Sequence, residues 1–544
     1  MHIVTVAEMR AIERAANAAG LSYRDMMQNA GLSAAAEIRR RLSVWFSHKP
    51  VQILVLVGPG NNGGDGLVCA SALRRMEPTL GIKVYGLKPR ATDDEVYRDV
   101  LAAGLRIENA ADDASLLNLR TEISGADVIV DALLGTGTAR PIDGVLAEVL
   151  WLVKQGFSAV EKQTIQHKYV VALDGVTGMN YDTGALDPEA PTADLTITFH
   201  AAKRGHYCYP AARACGELVV ADIGITPSHL QQLNTSGDET VAIADAAMLR
   251  QLLPKRSPDA NKGTYGRVFV IGGCSDYSGA PALAAGAAYR VGAGLVTLAV
   301  PSAIQPGVAS ANREATFLTL DDRANFLTPS NLAQVGDLLQ TLDQRHGVVI
   351  GPGMGQNPMT AEFLAGFFAM ARAKGAGTRL LVDADGLNHL SRMTDWPMLL
   401  PAASILTPHP GEMARLTGMT IQQVQSDRIG NALQAAKRWG HIVVLKGAYT
   451  VIAHPSQGCV VLPFSNAALA VAGTGDVLAG CIGGMLAQGL EPFDAAVSGA
   501  FLHATAGESW RGVHGDAGLL ASDLLALLPD EMRQLRHSNQ SIHS

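Results

Sequence analysis

Short apolar runs alternate with stretches of helical periodicity along most of the chain. VQILVLVG (51–58), IKVYGL (82–87), DVIVDALLG (127–135), YVVALDG (169–175) and ADLTITF (193–199) read as strands buried on both faces. Helical spacing marks VAEMRAIERAANA and SYRDMMQNAGLSAAAEIRRRL ahead of them, the second opening on Ser22 as N-cap. GLVCASALRRM predicts a helix directly after the first strand. Strands separated by helices predict a doubly wound parallel sheet, whose ligands sit at the carboxyl ends of the strands. The pattern breaks near LNTSGDETVAIADA (233–246), and a helix, AIADAAMLRQLL, follows. Strand patterns then resume with GRVFVIGG, LVTLAVP, HGVVIGPG, RLLVDADG, ASILTPHPGE and HIVVLKGAY, ending in a long helical region. The fold class is α/β throughout: an N-terminal Rossmann-like three-layer sandwich over 1–234, a linker at 235–244, a second three-layer α/β domain over 245–530 and a polar tail at 531–544.

Composition narrows the setting. A chain of 544 residues predicts two large domains or three to four small ones, and at 48% hydrophobic it can bury a sizeable core. A formal net charge of −7 gives no electrostatic case for nucleic acid. Six scattered cysteines with no C-x-x-C pair argue against a disulfide scaffold or a zinc site and fit a reducing cytoplasm. MHIVTVAEMRAIERAANAAG has no apolar core of a signal peptide, and no run of about 18 apolar residues predicts a membrane span. The Ala-rich face of residues 22–42 suits packing against a second copy, so a homo-oligomer is expected.

GPGNNGGDG (58–66) lies between a strand and a helix, where glycine lets backbone N–H groups approach an anion. It lacks the Gly-Lys-Ser/Thr of a phosphate loop and is no clean G-x-G-x-x-G fingerprint, so a plain glycine turn is the competing reading. VIVDALLGTGTARP (128–141) and ALDGVTGMNYDTG (172–184) each end a strand on an aspartate, Asp131 and Asp174, followed by a small-residue loop. AAKRGHYCYP (201–210) adds Lys203, Arg204 and His206. These loops converge on one sheet edge, which suits a phosphorylated ligand and, through Asp and Asn oxygens, a hard cation.

NNGGDG, DALLGTG, the Asp174 loop and ADLTITF with its following lysine resemble the NAD(P)H-hydrate epimerase domain over about residues 1–225. The resemblance implies that Asn61, Asn62, Gly63, Gly64 and Asp65 bind the hydrated nicotinamide nucleotide. Gly135, Thr136, Gly137, Thr138, Ala139, Arg140 and Pro141 would line it, with Asp174 as acid–base group. It also implies a potassium ion held by Asn62, Asp131 and Thr177. Thr177 stands in Asp174-Gly175-Val176-Thr177-Gly178, where the family usually has Asp-x-Pro-Ser-Gly. The stretch WLVKQGFSAVEKQTIQHK (151–168) is longer than the family leads one to expect.

In the second half, GTGD (473–476) points backbone N–H groups at one spot and sets Asp476 beside it. That combination supplies an anion hole and a base for phosphoryl transfer to an alcohol, although Asp476 serves equally as a helix cap. LKGAYTVI (445–452) suits nucleotide phosphates and ribose through Lys446. Asp383 and Asp385 in LVDADGLN read either as neighbours of a magnesium–nucleotide complex or as solvated turn charges. His409 stands between two prolines in TPHPGEMARL and reads as a ligand contact. GAPALAAGAAYRVGAGLVTLAVP (279–301) is a small-residue helix that allows close approach.

GTYGRVFVIGG, GPGMG, DADGLN, TPHPGEMARL, KGAYTVI and GTGDVLAG, with that helix, resemble the ribokinase-like fold. More narrowly, they look like the ADP/ATP-dependent NAD(P)H-hydrate dehydratase domain, over about 245–530. The resemblance implies that Ala282, Gly353, His409 and Asp476 contact the hydrate. Lys446, Gly447, Ala448, Tyr449, Thr450 and Gly475 would hold ADP with magnesium. Asn261 and NREATF (312–317) depart from the family text. The whole chain thus resembles bifunctional NAD(P)H-hydrate repair enzymes, acting on NADHX and NADPHX with ADP or ATP. The alternative is a ribokinase-like vitamin kinase with a non-catalytic N-terminal ligand-binding module.

Overall fold

The computed structural model describes residues 2–46, 50–91, 93–137, 141–160, 167–230, 240–320, 325–343, 345–375 and 377–537. Its contacts separate residues 2–236 from residues 237–544.

In the first unit the central strand, Gln52–Val57, is buried over its last five residues. Its side chains alternate between two cores. Ile53, Val55 and Val57 enter one, with Met26, Ile38 and Leu67 of the helices on that face. Leu54 and Leu56 enter the other, with Leu119, Ile123 and Val149. This alternation makes the three-layer sandwich. The strands run in the order Ile107–Asn109, Gly81–Gly86, Gln52–Val57, Val128–Ala132, Tyr169–Leu173, Leu195–Phe199, Glu217–Ala221, all parallel. The order reverses between Gln52–Val57 and Val128–Ala132, so the crevice outside their carboxyl ends is the expected ligand position. A separate parallel pair sets Val4 against Lys203. The Ala-rich face of Tyr23–Trp45 is covered within the chain by Asn61–Met76: a Cβ on Gly31 would overlap Val68. That face therefore gives no ground for a second copy. Residues 151–160 of the long stretch continue the helix Gly144–Val160, and 161–166 lie outside the described residues.

In the second unit the order is Thr316–Leu320, Leu295–Pro301, Arg267–Ile271, His346–Ile350, Leu380–Val382, Ile405–Leu406, Ile442–Leu445, then Val451–His454, Gly458–Val461 and Val241–Ile243. Strands are parallel up to Ile442–Leu445, which turns back as an antiparallel hairpin. The expected helix at AIADAAMLRQLL is shorter than its pattern. Val241 and Ile243 pair with Cys459 and Val461, and the helix Ala246–Leu252 begins only after Asp245, whose carboxylate accepts from Met248 N–H at 2.8 Å. The polar end is helical as far as His537, because Asp523–His537 buries Leu528, Met532 and Leu535. Gly279–Arg290 and Thr474–Ala487 approach so closely that a Cβ on Gly480 would overlap the Ala284 carbonyl oxygen. All six cysteines are buried.

Candidate active sites

The first unit holds a cavity of about 700 Å³ at its switch point, lined among others by Asn61, Asn62, Asp65, Gly135, Asp174 and Lys203. Residues Asn61 to Asp65, read from the sequence as loop, form the first turn of the helix Asn61–Met76. The tight bend ahead of them depends on Gly58, where a Cβ would overlap the Leu133 carbonyl oxygen. The Arg90 guanidinium donates to the Gly60 carbonyl at 2.8 Å and holds this bend from outside.

Asp174 closes the strand Tyr169–Leu173 with φ of 62°, a left-handed conformation rare for a non-glycine residue. Its Oδ1 accepts from Lys203 Nζ at 2.5 Å and from Thr198 Oγ1 at 3.1 Å. Lys203 is 1% exposed. His206 Nδ1 accepts from the Lys203 backbone N–H at 3.0 Å, so Nε2 carries the proton and donates to the Asp174 carbonyl at 2.9 Å. Burial and the Lys203 charge hold His206 down at about 4, which makes it a neutral brace. Burial would raise Asp174, but Lys203 overcomes it and its carboxyl stays below the usual range. Asp65 is pushed well upward by burial and by the Asp174 charge, and Glu13, also on the cavity wall, is raised by burial. One carboxyl pulled down, Asp174, and two pushed up, Asp65 and Glu13, therefore share a cavity.

The three expected ion ligands are joined through Leu134. Asn62 Nδ2 donates to the Leu134 carbonyl at 3.1 Å, and Leu134 N–H donates to Thr177 Oγ1 at 3.1 Å. Thr177 donates from Oγ1 and N to the two Asp131 oxygens at 2.6 and 2.9 Å. Asn62 Oδ1 is buried without a partner among the described residues. Gly135, Thr136 and Gly137 line the same cavity, Pro141 lines a neighbouring one, and Thr138, Ala139 and Arg140 lie outside the described residues.

The second unit holds a cavity of about 220 Å³ lined by Lys446, Gly447, Ala448, Thr450 and Gly475, with apolar walls from Leu462, Phe464, Leu469 and Leu478. The stretch from Lys446 to Thr450 is the hairpin turn, where Gly447 has φ of 137° and Tyr449 φ of 52°. Arg428 Nη2 donates to the Leu445 and Lys446 carbonyls at 2.9 and 3.2 Å and anchors the turn. Lys446 Nζ donates to Asp383 Oδ1 at 2.7 Å and lies 3.8 Å from Glu412 Oε2. Thr407 Oγ1 donates to the same Asp383 oxygen at 2.7 Å. Burial opposes the charge on Lys446, but these acids raise its pKa and keep it cationic.

Gly473 caps the helix Thr474–Ala487 with φ of 92°, so no side chain occupies the helix N-terminus. Asp476 sits in the first turn rather than at the cap, which removes the simple capping reading. Burial, then the Asp383 charge, pushes Asp476 up to about 7 against the pull of Lys446. Asp385 serves elsewhere: it accepts from Gly355 N–H at 2.8 Å and Gln356 Nε2 at 2.6 Å, fixing the loop that contains Gly353. His409 caps the helix Pro410–Thr417, its Nδ1 accepting from Gly411 N–H at 3.0 Å, and its side chain remains half exposed. Ala282 lies on Gly279–Arg290, its carbonyl accepting from Asn312 Nδ2 at 3.1 Å.

Glu13, Thr198, Thr407 and Arg428 were not singled out by sequence. Arg428 declares itself only in the structure, where an arginine at a helix start is 6% exposed and so held by something specific.

A family described as NAD(P)H-hydrate dehydratase matches residues 268–530, and one described as YjeF-related protein N-terminus matches residues 23–205. The chain is 35% identical over 555 residues to the bifunctional NAD(P)H-hydrate repair enzyme Nnr of Moorella thermoacetica, covering 100% of this chain and 98% of that one. It is 35% identical to the protein of that name from Coxiella burnetii, covering 95% and 96%. A solved structure, the ADP/ATP-dependent NAD(P)H-hydrate dehydratase from Bacillus subtilis co-crystallized with ATP/Mg2+, is 30% identical and covers 54% of this chain and 99% of that one, with a TM-score of 0.47.

Proposed function

We propose that this chain, which belongs to the family of bifunctional NAD(P)H-hydrate repair enzymes, performs two successive steps on hydrated NADH and NADPH. Residues 1–234 interconvert the R and S hydrates, and residues 245–530 dehydrate the S form at the cost of a nucleotide. The dehydratase half rests chiefly on one observation: Asp476, raised to about 7, shares the open turn at Gly473–Gly475 with Lys446 and an apolar-walled cavity. ADP is the nucleotide, giving AMP and phosphate. Asp476 takes the proton of the C6 hydroxyl as that oxygen attacks the terminal phosphoryl group and displaces AMP; phosphate then leaves C6 where hydroxide would not, and C5 loses a proton as the C5–C6 double bond forms. Lys446 and the N–H groups of the helix start hold the phosphates.

In the first unit Asp174, pulled down beside Lys203, is the base, and Asp65, pushed upward by burial and the Asp174 charge, is the acid. One assists departure of the C6 hydroxyl and the other takes a proton from the water that returns on the opposite face. The unpartnered Asn62 Oδ1 beside the Thr177–Asp131 pair is an oxygen donor set that fits a potassium ion, which would fix these loops and offset substrate charge. Asp383 and Glu412 are oxygen donors that fit magnesium, which would neutralise phosphate charge. The scattered cysteines, with no C-x-x-C pair, support a cytoplasmic setting, and among the described residues no helix is long and apolar enough to cross a membrane. A homo-oligomer is checked by sedimentation.

The deciding experiment supplies both hydrate epimers with ADP or ATP and follows return of the reduced-nicotinamide absorbance alongside AMP and phosphate. A stable phosphorylated product in place of NADPH would instead favour the kinase alternative, which full-length relatives of this name do not support.

A further inference from the structure

The cavity that holds Asp174 and Lys203 does not end at the reacting groups. A second cavity of about 340 Å³ shares Pro59 and Leu134 with it and runs on to Leu87, Lys88, Ile142 and Asp143. The strand order sets the two in line. Asp174 follows Tyr169–Leu173 and Lys88 follows Gly81–Gly86, with Val128–Ala132 and Gln52–Val57 between them. At about 4.8 Å per strand the two strand ends lie about 14 Å apart along the sheet edge. A dinucleotide with its hydrated ring at Asp174 therefore brings its far nucleoside to Lys88.

In doubly wound sheets this strand end reads the ribose 2′ position: an acid about 20 residues past the glycine loop accepts a 2′-hydroxyl, and a cation takes a 2′-phosphate. Gly66 ends the glycine loop here, and the stretch Gly86-Leu87-Lys88-Pro89-Arg90 follows at that interval with two cations and no acid. Leu87 N–H donates to the Val57 carbonyl at 3.0 Å and ties this end to the central strand. Arg90 is already engaged, with Asp94 at 2.8 Å and with the Gly60 carbonyl at 2.8 Å. Lys88 is exposed, and its ammonium has no ion pair or hydrogen bond among the described residues. Asp143, the acid on the same cavity, directly precedes the helix Gly144–Val160 and does not belong to this strand end. We propose that Lys88 pairs with the 2′-phosphate of the adenosine half and makes the first unit selective for the NADPH hydrate over the NADH hydrate. This rests on the reading of the first unit as the epimerase. The choice is made three strands away from Asp174, so it belongs to substrate affinity and not to turnover. An ammonium on a phosphate is a charge-assisted contact, and at an exposed lysine salt weakens it.

The test follows epimerisation of the pure R hydrates of NADPH and NADH by the full-length protein, by chromatography of the epimers. No ADP or ATP is added, so the second unit stays idle. KM for the NADPH hydrate is expected about tenfold below that for the NADH hydrate, with kcat alike. Lys88→Ala should bring the two KM values within about twofold of each other. Lys88→Arg should keep the preference, and Lys88→Glu should reverse it. Added salt should shrink the preference of the unaltered protein. Equal KM for the two hydrates in the unaltered protein overturns the proposal with no variant needed. So does a Lys88→Ala protein that keeps the original preference. Binding of NADP+ and NAD+ to the same proteins is measured by titration calorimetry. A preference for NADP+ that Lys88→Ala abolishes, with neither hydrate epimerised, leaves Lys88 in its role and removes the epimerase reading; epimerisation of both hydrates at equal KM does the reverse.

Discussion

At the scale of single residues, Asp476 makes the most specific demands. Its folded pKa near 7 stands above the ordinary 3.8, so the folded chain keeps a proton that the unfolded chain releases between those values. Stability from this group is full below about pH 4 and is lost as pH rises through about 7. Without nucleotide, Asp476→Asn should melt a few degrees higher than the parent at pH 8 and alike at pH 4, by scanning calorimetry. The same variant should lose about 10²- to 10⁴-fold in dehydratase kcat, while the parent's turnover rises with pH through about 7 as the base ionises. Lys203 gives the complementary case. Lys203→Ala strands the Asp174 carboxylate in a buried place, so denaturant titration should show a loss of about 3–5 kcal/mol, and epimerisation should fail with it. In GTGD alone Asp476 read equally as base or helix cap, and only its neighbours KGAYT and TPHPGE favoured the base. The lysine was legible only as part of a basic segment, since its pairing to Asp174 spans 29 positions.

At the scale of elements, the apolar runs predicted the central strands well, because strands buried on both faces have no other composition. What the pattern hid were short strands defined by their partners. Ala242 and Ile243 of the strand Val241–Ile243 read as helix because three residues cannot show a period, and the strand exists only because Gly458–Val461 offers it an edge. The helices at the sites raise a different demand, for closeness. Thr474–Ala487 begins in the GTGD turn and lies against Gly279–Arg290 with no room for a side chain at Gly480. Gly480→Ala should therefore destabilise by about 1–3 kcal/mol in chemical denaturation. It should also lower dehydratase kcat, since a helix pushed outward takes Gly475 and Asp476 with it. An alanine at Gly512, where nothing lies within 4 Å, should change neither and is the control.

At the scale of the whole molecule, the two chemistries should separate by mutation within one full-length chain. Given mixed hydrate epimers and ADP, Asp174→Asn should regenerate NAD(P)H rapidly and then stop when the S form is spent. Asp476→Asn should regenerate almost none yet still equilibrate pure R hydrate with S, followed by chromatography of the epimers. Failure of both variants in both assays would show that the units do not work as separable enzymes. The fully buried cysteines carry a consequence of another kind. Burial pushes the Cys69 thiol up to about 12 and the Cys215 thiol up to about 11, so neither offers a thiolate to an electrophile. The native chain should thus stay silent toward maleimides, and a single cysteine introduced on its surface would be the only position to take a fluorophore, giving a reporter that needs no prior removal of native thiols.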